Sequence, residues 1–316
     1  MSWENKIKSL IKKLEDYVNL SPFTTLDIGG PAEFFVTVGN VEELADTLIR
    51  ARSIGVPYKV IGHGSNIVVS DKGFHGLIIC NKADGLNVDI NQGRVIADSG
   101  VPLSRMILEA ASRGLGGLEP LYGIPGTVGG AIINNAGAHG VSVSQFFKSS
   151  SVLASSEKIL NCRASWFKFG YRNSKLKFDR SPSPPVILSA IFQFQKRKKD
   201  DALSDIAKHK GWREEHQPIG EKTCGSIFRN PLQSDNAKDT NEQAQTAGFL
   251  LDKAGAKKFV VGGARVSRKH ANWIINQNHS SARDIRNLID KMREAVEEKF
   301  SLTLKEEVEY VGNWEL

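Results

Sequence analysis

Glycine is concentrated in two short stretches of the chain, residues 62–66 and residues 123–137. Glycine allows several backbone N–H groups to converge on one point, and such donors together can share the charge of a diphosphate. Tight turns are an equally good interpretation of the first stretch. In the second stretch glycine recurs within one short loop, at 123, 126, 129 and 130, and this repetition favours phosphate binding.

The two common phosphate-binding motifs are absent from these stretches. No Gly-Lys-Ser/Thr follows either of them, which excludes a Walker A loop. Gly62 and Gly64 begin a GxGxxG pattern, but Ile67 stands where the third glycine of a Rossmann fold belongs. The residues therefore indicate a nucleotide diphosphate bound by two loops of a domain that is not a Rossmann fold.

Composition indicates an ordinary globular chain of two domains. The 316 residues are 40% hydrophobic and 24% charged, which argues against disorder, and no apolar run approaches the roughly 20 residues that span a bilayer. The N-terminal residues lack the apolar core of a signal peptide, so we expect a cytoplasmic protein. The net charge of +7 favours an anionic partner. The densest basic run, 196–199, has no aromatic neighbours or nucleic-acid motif and is interpreted as a solvated linker.

Cysteine and histidine provide no metal site. Cys80, Cys162 and Cys224 are far apart and form no CxxC pair, and the seven histidines show no HExxH spacing. We expect neither a metal ion nor disulfides.

Helices and strands alternate around the glycine-rich loops. Apolar residues at 7, 10, 11, 14 and 18 predict a first helix, and a second is expected between Asn40 and Gly55. Short strands are predicted at YKVIG, NIVVSD, GLIIC and RVIADSG, and a helix at SRMILEAASRG that ends at Gly114. This alternation predicts α+β or α/β structure up to about residue 196.

The remainder of the chain has a different pattern. A helix is predicted over 241–255, and a strand over 258–266 that bends at Gly262 and Gly263. Ser281 and Asp284 form a capping box that opens a long helix with its apolar face running to Phe300. The closing residues, 301–312, alternate as a strand does.

Longer runs resemble known families. The runs YKVIGHGSNIVVSDKGFHGLII and LEPLYGIPGTVGGAIINNAGAHG resemble the FAD-binding domain of the vanillyl-alcohol-oxidase type. FGYRNS, CGSIFRNP, AGFLLDKAG, GGARVSRKHANWIIN and LKEEVEYVG, in this order, resemble the UDP-N-acetylenolpyruvoylglucosamine reductases, flavoenzymes of peptidoglycan precursor synthesis. The resemblance covers residues 20–312.

The resemblance implies an α+β fold with two domains. A two-lobed FAD-binding domain would occupy 1–198, with lobes at about 1–83 and 84–198. A smaller α+β substrate-binding domain would occupy 199–316, with its last residues returning to the FAD domain.

The resemblance also implies a reaction in two halves. NADPH reduces FAD, and the hydride then passes to C3 of the enolpyruvyl group of UDP-N-acetylglucosamine-enolpyruvate. Three residues match the family's catalytic positions: Arg172 would stabilise the enolate with Glu307, and Ser226 would give a proton to C2. Glu306 competes with Glu307 for its role. A carboxylate beside an enolate implies a raised pKa for Glu307.

Binding residues follow from the same resemblance. For non-covalent FAD they are Ile61, Gly62, Gly64, Ser65, Asn66, Gly123, Ile124, Pro125, Gly126, Thr127, Gly129, Gly130, Ala131, Asn135, Ala136 and Gly137. For the substrate they are Tyr171, Asn230 and Lys257. The chain departs from the family's usual residues at Thr24, Asp27, Asn134 and Lys258.

Other functions remain open. One alternative is another FAD-linked oxidase or dehydrogenase of this superfamily, with the flavin attached through His63 or His139. Another is a nucleotide-binding protein without catalysis. UDP-N-acetylglucosamine-enolpyruvate and NADPH are anions and account for the basic charge, so we expect no binding to nucleic acid or membrane. We also expect a monomer.

Overall fold

The protein has an α+β fold, as predicted. The computed structural model describes residues 3–179, 181–231 and 246–314. The helices are α1 Trp3–Leu10, α2 Val41–Ser53, α3 Leu103–Ser112, α4 Val128–Ile133, α5 Ala164–Phe167, α6 Lys199–His216, α7 Ala247–Lys253 and α8 Ala282–Phe300. The strands are β1 Glu15–Asn19, β2 Pro31–Val38, β3 Tyr58–Ile61, β4 Ile67–Val69, β5 Phe74–Asn81, β6 Leu86–Asp89, β7 Arg94–Asp98, β8 Leu115–Gly116, β9 Gly137–Ala138, β10 Val141–Ser142, β11 Phe147–Leu153, β12 Ile159–Arg163, β13 Val186–Gln193, β14 Gln195–Lys196, β15 Val260–Val261, β16 Ala264–Val266, β17 Ile274–Asn276 and β18 Glu309–Val311.

The strands form two larger sheets and several small ones. A five-stranded antiparallel sheet has the order β12-β11-β13-β7-β6, and a four-stranded sheet has the order β1-β2-β5-β3. β15, β16 and β17 form a small antiparallel sheet. The last strand, β18, pairs in parallel with β4.

The chain divides into two compact units that are interleaved in sequence. Unit 1 consists of Met1–Asp16, Phe34–Gly62 and Gly76–Arg213, and unit 2 of Tyr17–Glu33, His63–His75 and Glu214–Leu316. The predicted FAD-binding and substrate-binding domains, divided at 198/199, remain a prediction. Unit 1 continues to Arg213, so most of α6, Lys199–His216, belongs to unit 1 rather than to the second part of the chain.

Each unit buries its own apolar residues. Unit 1 contains two separate cores, one that includes Leu44, Leu48 and Leu77 and another that includes Val95, Met106 and Phe192. Unit 2 has one core, to which α8 contributes its apolar stripe. The stripe's members Ile285, Leu288, Ile289, Met292 and Val296 are fully buried, and Phe300 at its end is exposed.

Two predicted helix starts are confirmed by side-chain caps. The Asn40 side chain accepts the N–H of Glu43 and begins α2. At α8, Ser281 and Asp284 form the reciprocal capping box. Asp71 adds a second cap, because its carboxylate accepts the N–H groups of Ala282 and Arg283. Three N–H groups in the first turn of α8 therefore have acceptors.

The first predicted helix is too long. It ends at Leu10, and residue 18 lies in strand β1. Lys13 has a φ of 57°, a left-handed conformation that a helix cannot accommodate, so the chain turns there and enters the four-stranded sheet.

The predicted linker at 196–199 instead lies partly in regular structure, although Lys196, Lys198 and Lys199 are exposed as predicted. Strand β14 pairs with β8 in this segment, and Arg197 forms ion pairs of 2.8 Å with Glu119 and Asp205. The Glu119 carboxylate is buried, with 2% of its side chain exposed, so it requires a cationic partner. Within unit 1, Arg197 supplies that charge.

The predicted bent strand at 258–266 is a hairpin, in which β15 pairs with β16 across Gly262 and Gly263. Gly262 has a φ of 52°, a conformation that glycine adopts easily and that reverses the chain here. Of the predicted helix at 241–255, α7 covers 247–253, and residues 241–245 lie outside the described residues. Of the predicted strand at 301–312, β18 covers 309–311, and Glu306 forms an isolated bridge with Phe228.

Candidate active site

The glycine-rich loop at 123–131 leads into the short helix α4 in unit 1. Several of its N–H groups have protein acceptors: that of Val128 bonds to Val101 O and that of Gly129 to Ser99 O, both at 2.8 Å. Among the described residues, no protein acceptor is found for the N–H groups of Gly126 and Thr127. These two donors are the ones that the loop can offer to a phosphate.

Gly62 lies against this loop. A Cβ atom on Gly62 would stand 2.7 Å from both Cγ2 and Oγ1 of Thr127, so no other residue fits without displacing that side chain. Two stretches that the sequence predicted to bind the cofactor therefore meet within unit 1.

Asn135, also predicted to bind FAD, uses its side chain inside the protein. It is buried in a left-handed conformation with φ 43°. Its Nδ2 donates to the carbonyl oxygen of Gly170 at 2.8 Å, and its Oδ1 accepts the N–H of Ser144 at 3.1 Å. Asn135 thereby holds the residue that precedes Tyr171 and Arg172.

Arg172 lies at the tip of a tight turn. Gly170 and Asn173 exchange backbone hydrogen bonds of 3.0 and 3.2 Å and close the turn around Tyr171 and Arg172. Arg172 has a φ of 52°, an unfavourable conformation for a residue with a Cβ. Its Nη1 would be 3.4 Å from a Cβ on Gly137, so the guanidinium lies beside the predicted cofactor loop.

A second arginine in unit 1 was not identified from the sequence. Arg213, on α6, is buried, with 6% exposed, and donates to the carbonyl oxygens of Tyr122 at 2.9 Å and Pro120 at 3.1 Å. Burial, with a smaller contribution from Arg172, lowers its pKa to about 10. In the sequence, Arg213 is followed directly by Glu214 and Glu215. This pattern is common on exposed helices and does not indicate a buried arginine.

Two histidines and a tryptophan are clustered in unit 1. The ring of His139 lies 4.9 Å from that of His209 and 4.6 Å from that of Trp212. The pKa values of both histidines are lowered, mainly by burial, and that of His139 also by His209.

In unit 2, the stretch at 63–66 packs closely on neighbouring backbone. A Cβ on Gly64 would stand 2.1 Å from the carbonyl oxygen of Phe23, and Gly64 has a φ of 60°, so glycine is required. A Cβ on Gly225 would be 3.9 Å from Ser65 O. The Cys224–Gly225–Ser226 segment therefore runs beside the predicted cofactor loop.

The segments that carry Ser226 and Glu307 are paired through their backbones in unit 2. The N–H of Glu307 donates to Ile227 O at 2.8 Å, and the N–H of Arg229 donates to Lys305 O at 3.0 Å. These bonds flank the antiparallel bridge between Phe228 and Glu306. They place the residue next to Ser226 directly opposite Glu307.

Further bonds hold both segments. The Asn272 side chain accepts the N–H of Phe228 at 2.9 Å and donates to its carbonyl oxygen at 2.7 Å, and Trp273 bridges to Ser226. On the other side, Nδ2 of Asn66 donates to the carbonyl oxygen of Glu307 at 3.1 Å.

Glu306, the alternative to Glu307, has other partners. Its carboxylate forms an ion pair with Arg293, which also contacts Asp290 at 3.0 Å. Burial and then Glu306 raise the pKa of Tyr310 above its ordinary value. Glu306 thus anchors the tail on α8, which leaves Glu307 as the candidate for chemistry.

The predicted substrate residues lie on separate elements. Tyr171 is 43% exposed at the turn of Arg172. Lys257 forms an ion pair of 2.9 Å with Asp252, and Oδ1 of Asn230 accepts the N–H of Ala247 at the start of α7.

Departures from the family pattern have structural partners. The Thr24 hydroxyl accepts the N–H of Ile28 at 3.1 Å and lies 2.9 Å from its carbonyl oxygen. Asp27 forms an ion pair of 2.5 Å with Lys222. Nδ2 of Asn134 donates to Gly130 O at 3.0 Å, and Lys258 lies in a short 3-10 turn.

The cysteines are buried thiols. Burial raises the pKa of Cys224 to about 12, so it is a poor nucleophile despite its position two residues before Ser226. Within the described ranges no group of three or more His, Cys, Asp or Glu side chains could hold a metal ion. In the same ranges no helix is both long and apolar enough to cross a membrane.

Comparisons with known proteins match both parts of the chain. Residues 32–163 match the FAD binding domain family, and residues 217–311 match the C-terminal domain of UDP-N-acetylenolpyruvoylglucosamine reductase. The reductase of Halalkalibacterium halodurans is 36% identical over 93% of this chain and 93% of its own length. That of Anoxybacillus flavithermus is 34% identical over 98% of each chain.

A solved structure agrees. The crystal structure of UDP-N-acetylenolpyruvylglucosamine reductase from Thermus caldophilus has a TM-score of 0.76 and 31% identity, and covers 95% of this chain and 99% of that one. Family models match both parts of the chain, the identity extends along nearly its whole length, and the fold is shared. The chain belongs to the UDP-N-acetylenolpyruvoylglucosamine reductase family.

Proposed function

We propose that Arg172, Ser226 and Glu307 carry out the chemistry of this family in this chain. As a member of the family, it is an FAD-containing oxidoreductase that uses NADPH to reduce the enolpyruvyl group of UDP-N-acetylglucosamine-enolpyruvate. The product, UDP-N-acetylmuramate, is a precursor of peptidoglycan. The observation that supports the residue roles best is the backbone pairing of the Ser226 segment with Glu307.

The predicted cofactor loops fit FAD. Gly62 and Gly64 keep the first loop in close contact with Thr127 and with the backbone of Phe23, so the conformation of this loop is fixed by protein packing. Gly126 and Thr127 supply N–H donors suited to a diphosphate. Bound FAD would supply the transfer of hydride from NADPH to C3 of the enolpyruvyl group. We assign FAD binding to residues 1–198 and substrate binding to residues 199–316.

Arg172 would stabilise the negative charge that develops on the substrate. A guanidinium stays protonated and offers two parallel donors to a carboxylate or enolate. The turn that presents Arg172 is closed by two backbone hydrogen bonds between Gly170 and Asn173, which supports a guanidinium that is positioned before the charge develops.

Ser226 would donate the proton to C2. Glu307 would stabilise the enolate together with Arg172, or share the proton of Ser226. A serine hydroxyl is a weak acid, so its transfer depends on accurate placement next to the developing carbanion. Placement is supported by the bonds that join the Ser226 segment to Asn272 on one side and to Glu307 on the other.

The UDP part of the substrate would contact Tyr171, Asn230 and Lys257. Lys257 is paired with the Asp252 carboxylate. When a substrate phosphate binds, it would replace that carboxylate as the partner of Lys257. We further propose that the enzyme is a cytoplasmic monomer that binds neither membrane nor nucleic acid.

The visible spectrum under anaerobic conditions tests the function. Addition of NADPH should bleach the flavin band, and addition of UDP-N-acetylglucosamine-enolpyruvate should restore it. Bleaching without recovery would identify a flavin reductase with another substrate. A colourless protein that does not take up FAD would contradict the proposal.

Attachment of the flavin needs a separate measurement. We expect acid precipitation to leave FAD in solution. Flavin that remains in the pellet would indicate covalent attachment through His63 or His139 and favour an oxidase of the same superfamily.

A further inference from the structure

Each predicted cofactor loop contains one asparagine whose side chain bonds to a catalytic segment. In unit 2, Nδ2 of Asn66 donates to the carbonyl oxygen of Glu307 at 3.1 Å, across 241 residues of sequence. In unit 1, Nδ2 of Asn135 donates to the carbonyl oxygen of Gly170 at 2.8 Å, the residue that opens the turn of Arg172. The same type of contact therefore occurs twice, once in each unit.

At Glu307, the side chain of Asn66 completes a set of bonds that holds the backbone from both sides. The Glu307 N–H donates to Ile227 O, and its carbonyl oxygen accepts from Asn66. Asn66 is itself fixed, because its carbonyl oxygen accepts the N–H of Glu309 at 3.0 Å and β4 begins at the next residue. The contact therefore links two parts of the backbone that are each held by pairing of β4 with β18.

At Arg172, Asn135 has a similar position. Both polar atoms of its side chain are used within unit 1, Oδ1 by the N–H of Ser144 and Nδ2 by Gly170. The left-handed backbone of Asn135, with φ 43°, directs a short amide side chain to these two partners. Ser174 secures the other end of the turn, since its hydroxyl donates to Ile133 O at 2.7 Å.

We propose that Asn66 and Asn135 are positioning residues: their amide groups hold Glu307 and the Arg172 turn in register with the cofactor loops. The inference rests on the catalytic roles proposed above. It changes the expectation from sequence, in which both asparagines simply bind FAD. A positioning role predicts a defect in the step that uses Glu307 and Arg172, with the flavin still bound and still reducible.

Asn66→Asp and Asn135→Asp test the proposal, because aspartate has the same shape and cannot donate to a carbonyl oxygen. Asn66→Ala and Asn135→Ala remove the donor without adding a charge. Asn134→Asp is the matched control: Asn134 is adjacent to Asn135, and within the described ranges its Nδ2 bonds to the carbonyl oxygen of Gly130 in its own helix and to no catalytic segment.

Four quantities are measured on each variant: thermal stability, FAD affinity, the rate of flavin reduction by NADPH, and the rate of reoxidation by UDP-N-acetylglucosamine-enolpyruvate. We expect FAD affinity and flavin reduction to stay within about threefold of the parent protein and reoxidation to slow by about 10- to 100-fold. Asn66→Ala should also shift the pH profile of reoxidation, because Glu307 is displaced. The control should match the parent in every rate.

Three outcomes would overturn the proposal: weakened FAD binding with normal reoxidation of the flavin that remains, equal slowing of both half-reactions, or no change in either. Failure of the proposed function looks different, because the parent protein itself would then not be reoxidised by the enolpyruvyl substrate.

Discussion

The backbone N–H of Glu307 donates a hydrogen bond of 2.8 Å to the carbonyl oxygen of Ile227, the residue that follows Ser226. This one contact joins the C-terminal tail to the segment of the proposed proton donor. The contact is made by backbone atoms, so it does not depend on the conformation of either candidate side chain.

Ser226→Ala should abolish proton delivery and leave hydride uptake by the flavin intact. We expect flavin reduction by NADPH at the parent rate and reoxidation by the enolpyruvyl substrate slowed by about 100-fold or more. Stopped-flow absorbance measures both. Thr223→Val is the control: it lies three residues away, and its buried hydroxyl has no hydrogen-bond partner in the described part of the chain. If Ser226→Ala is reoxidised normally, another group supplies the proton.

Glu306 and Glu307 should respond differently to the same substitution. Glu307→Gln should slow reoxidation by about 100-fold with little loss of stability. Glu306→Gln should keep its activity and lose about 1 kcal/mol of unfolding free energy, because it weakens the partly buried pair with Arg293. Denaturant unfolding and stopped-flow rates distinguish them. The reverse result would assign the chemistry to Glu306.

Replacement of Arg172 should lower activity, and the effect on stability should depend on whether the new residue tolerates the left-handed backbone. Both Arg172→Ala and Arg172→Gly remove the guanidinium, and each should lose about 100-fold or more in activity. Only glycine relieves the left-handed backbone, so Arg172→Gly should be about 1 kcal/mol more stable than Arg172→Ala. Equal stabilities in urea unfolding would show that the turn is not strained.

Asp71 should contribute to stability through α8. Asp71→Ala removes the acceptors of the Ala282 and Arg283 N–H groups and should cost about 1–2 kcal/mol. Asp46→Ala is the control: it removes the same charge from an exposed pair with Arg50 and should change stability much less than Asp71→Ala does. Similar losses for the two variants would argue against the cap.

His139 should make the protein less stable in mild acid. Burial and the neighbouring His209 lower its pKa, so below the unfolded value of about 6.5 the unfolded chain binds more protons than the folded one. Stability from this group is therefore present above that pH and lost as the pH falls. The decrease in melting temperature from pH 7.5 to pH 5.5 should be smaller in His139→Gln than in the parent. An identical decrease would exclude His139 as its cause.

Local patterns in the sequence predicted several features correctly. The caps at Asn40 and at Ser281 with Asp284 begin α2 and α8 as expected, and Gly114 follows α3. These features depend on hydrogen bonds and backbone conformations within three or four residues, so the residues themselves specify them. The α+β fold, the family and its cofactor followed from ordered motifs.

Tertiary structure decided which partners distant residues take. Val18 fits a helical stripe but lies in β1, and Arg197 fits a solvated run but pairs with the buried Glu119. Asn66 carries no sign in the sequence that its amide will reach Glu307, 241 residues away. Such contacts are selected by burial and by the need of every buried polar group for a partner, which a short pattern does not encode. For this protein, sequence alone determined the chemistry to expect, and only the fold determined which backbone holds each reacting group in place.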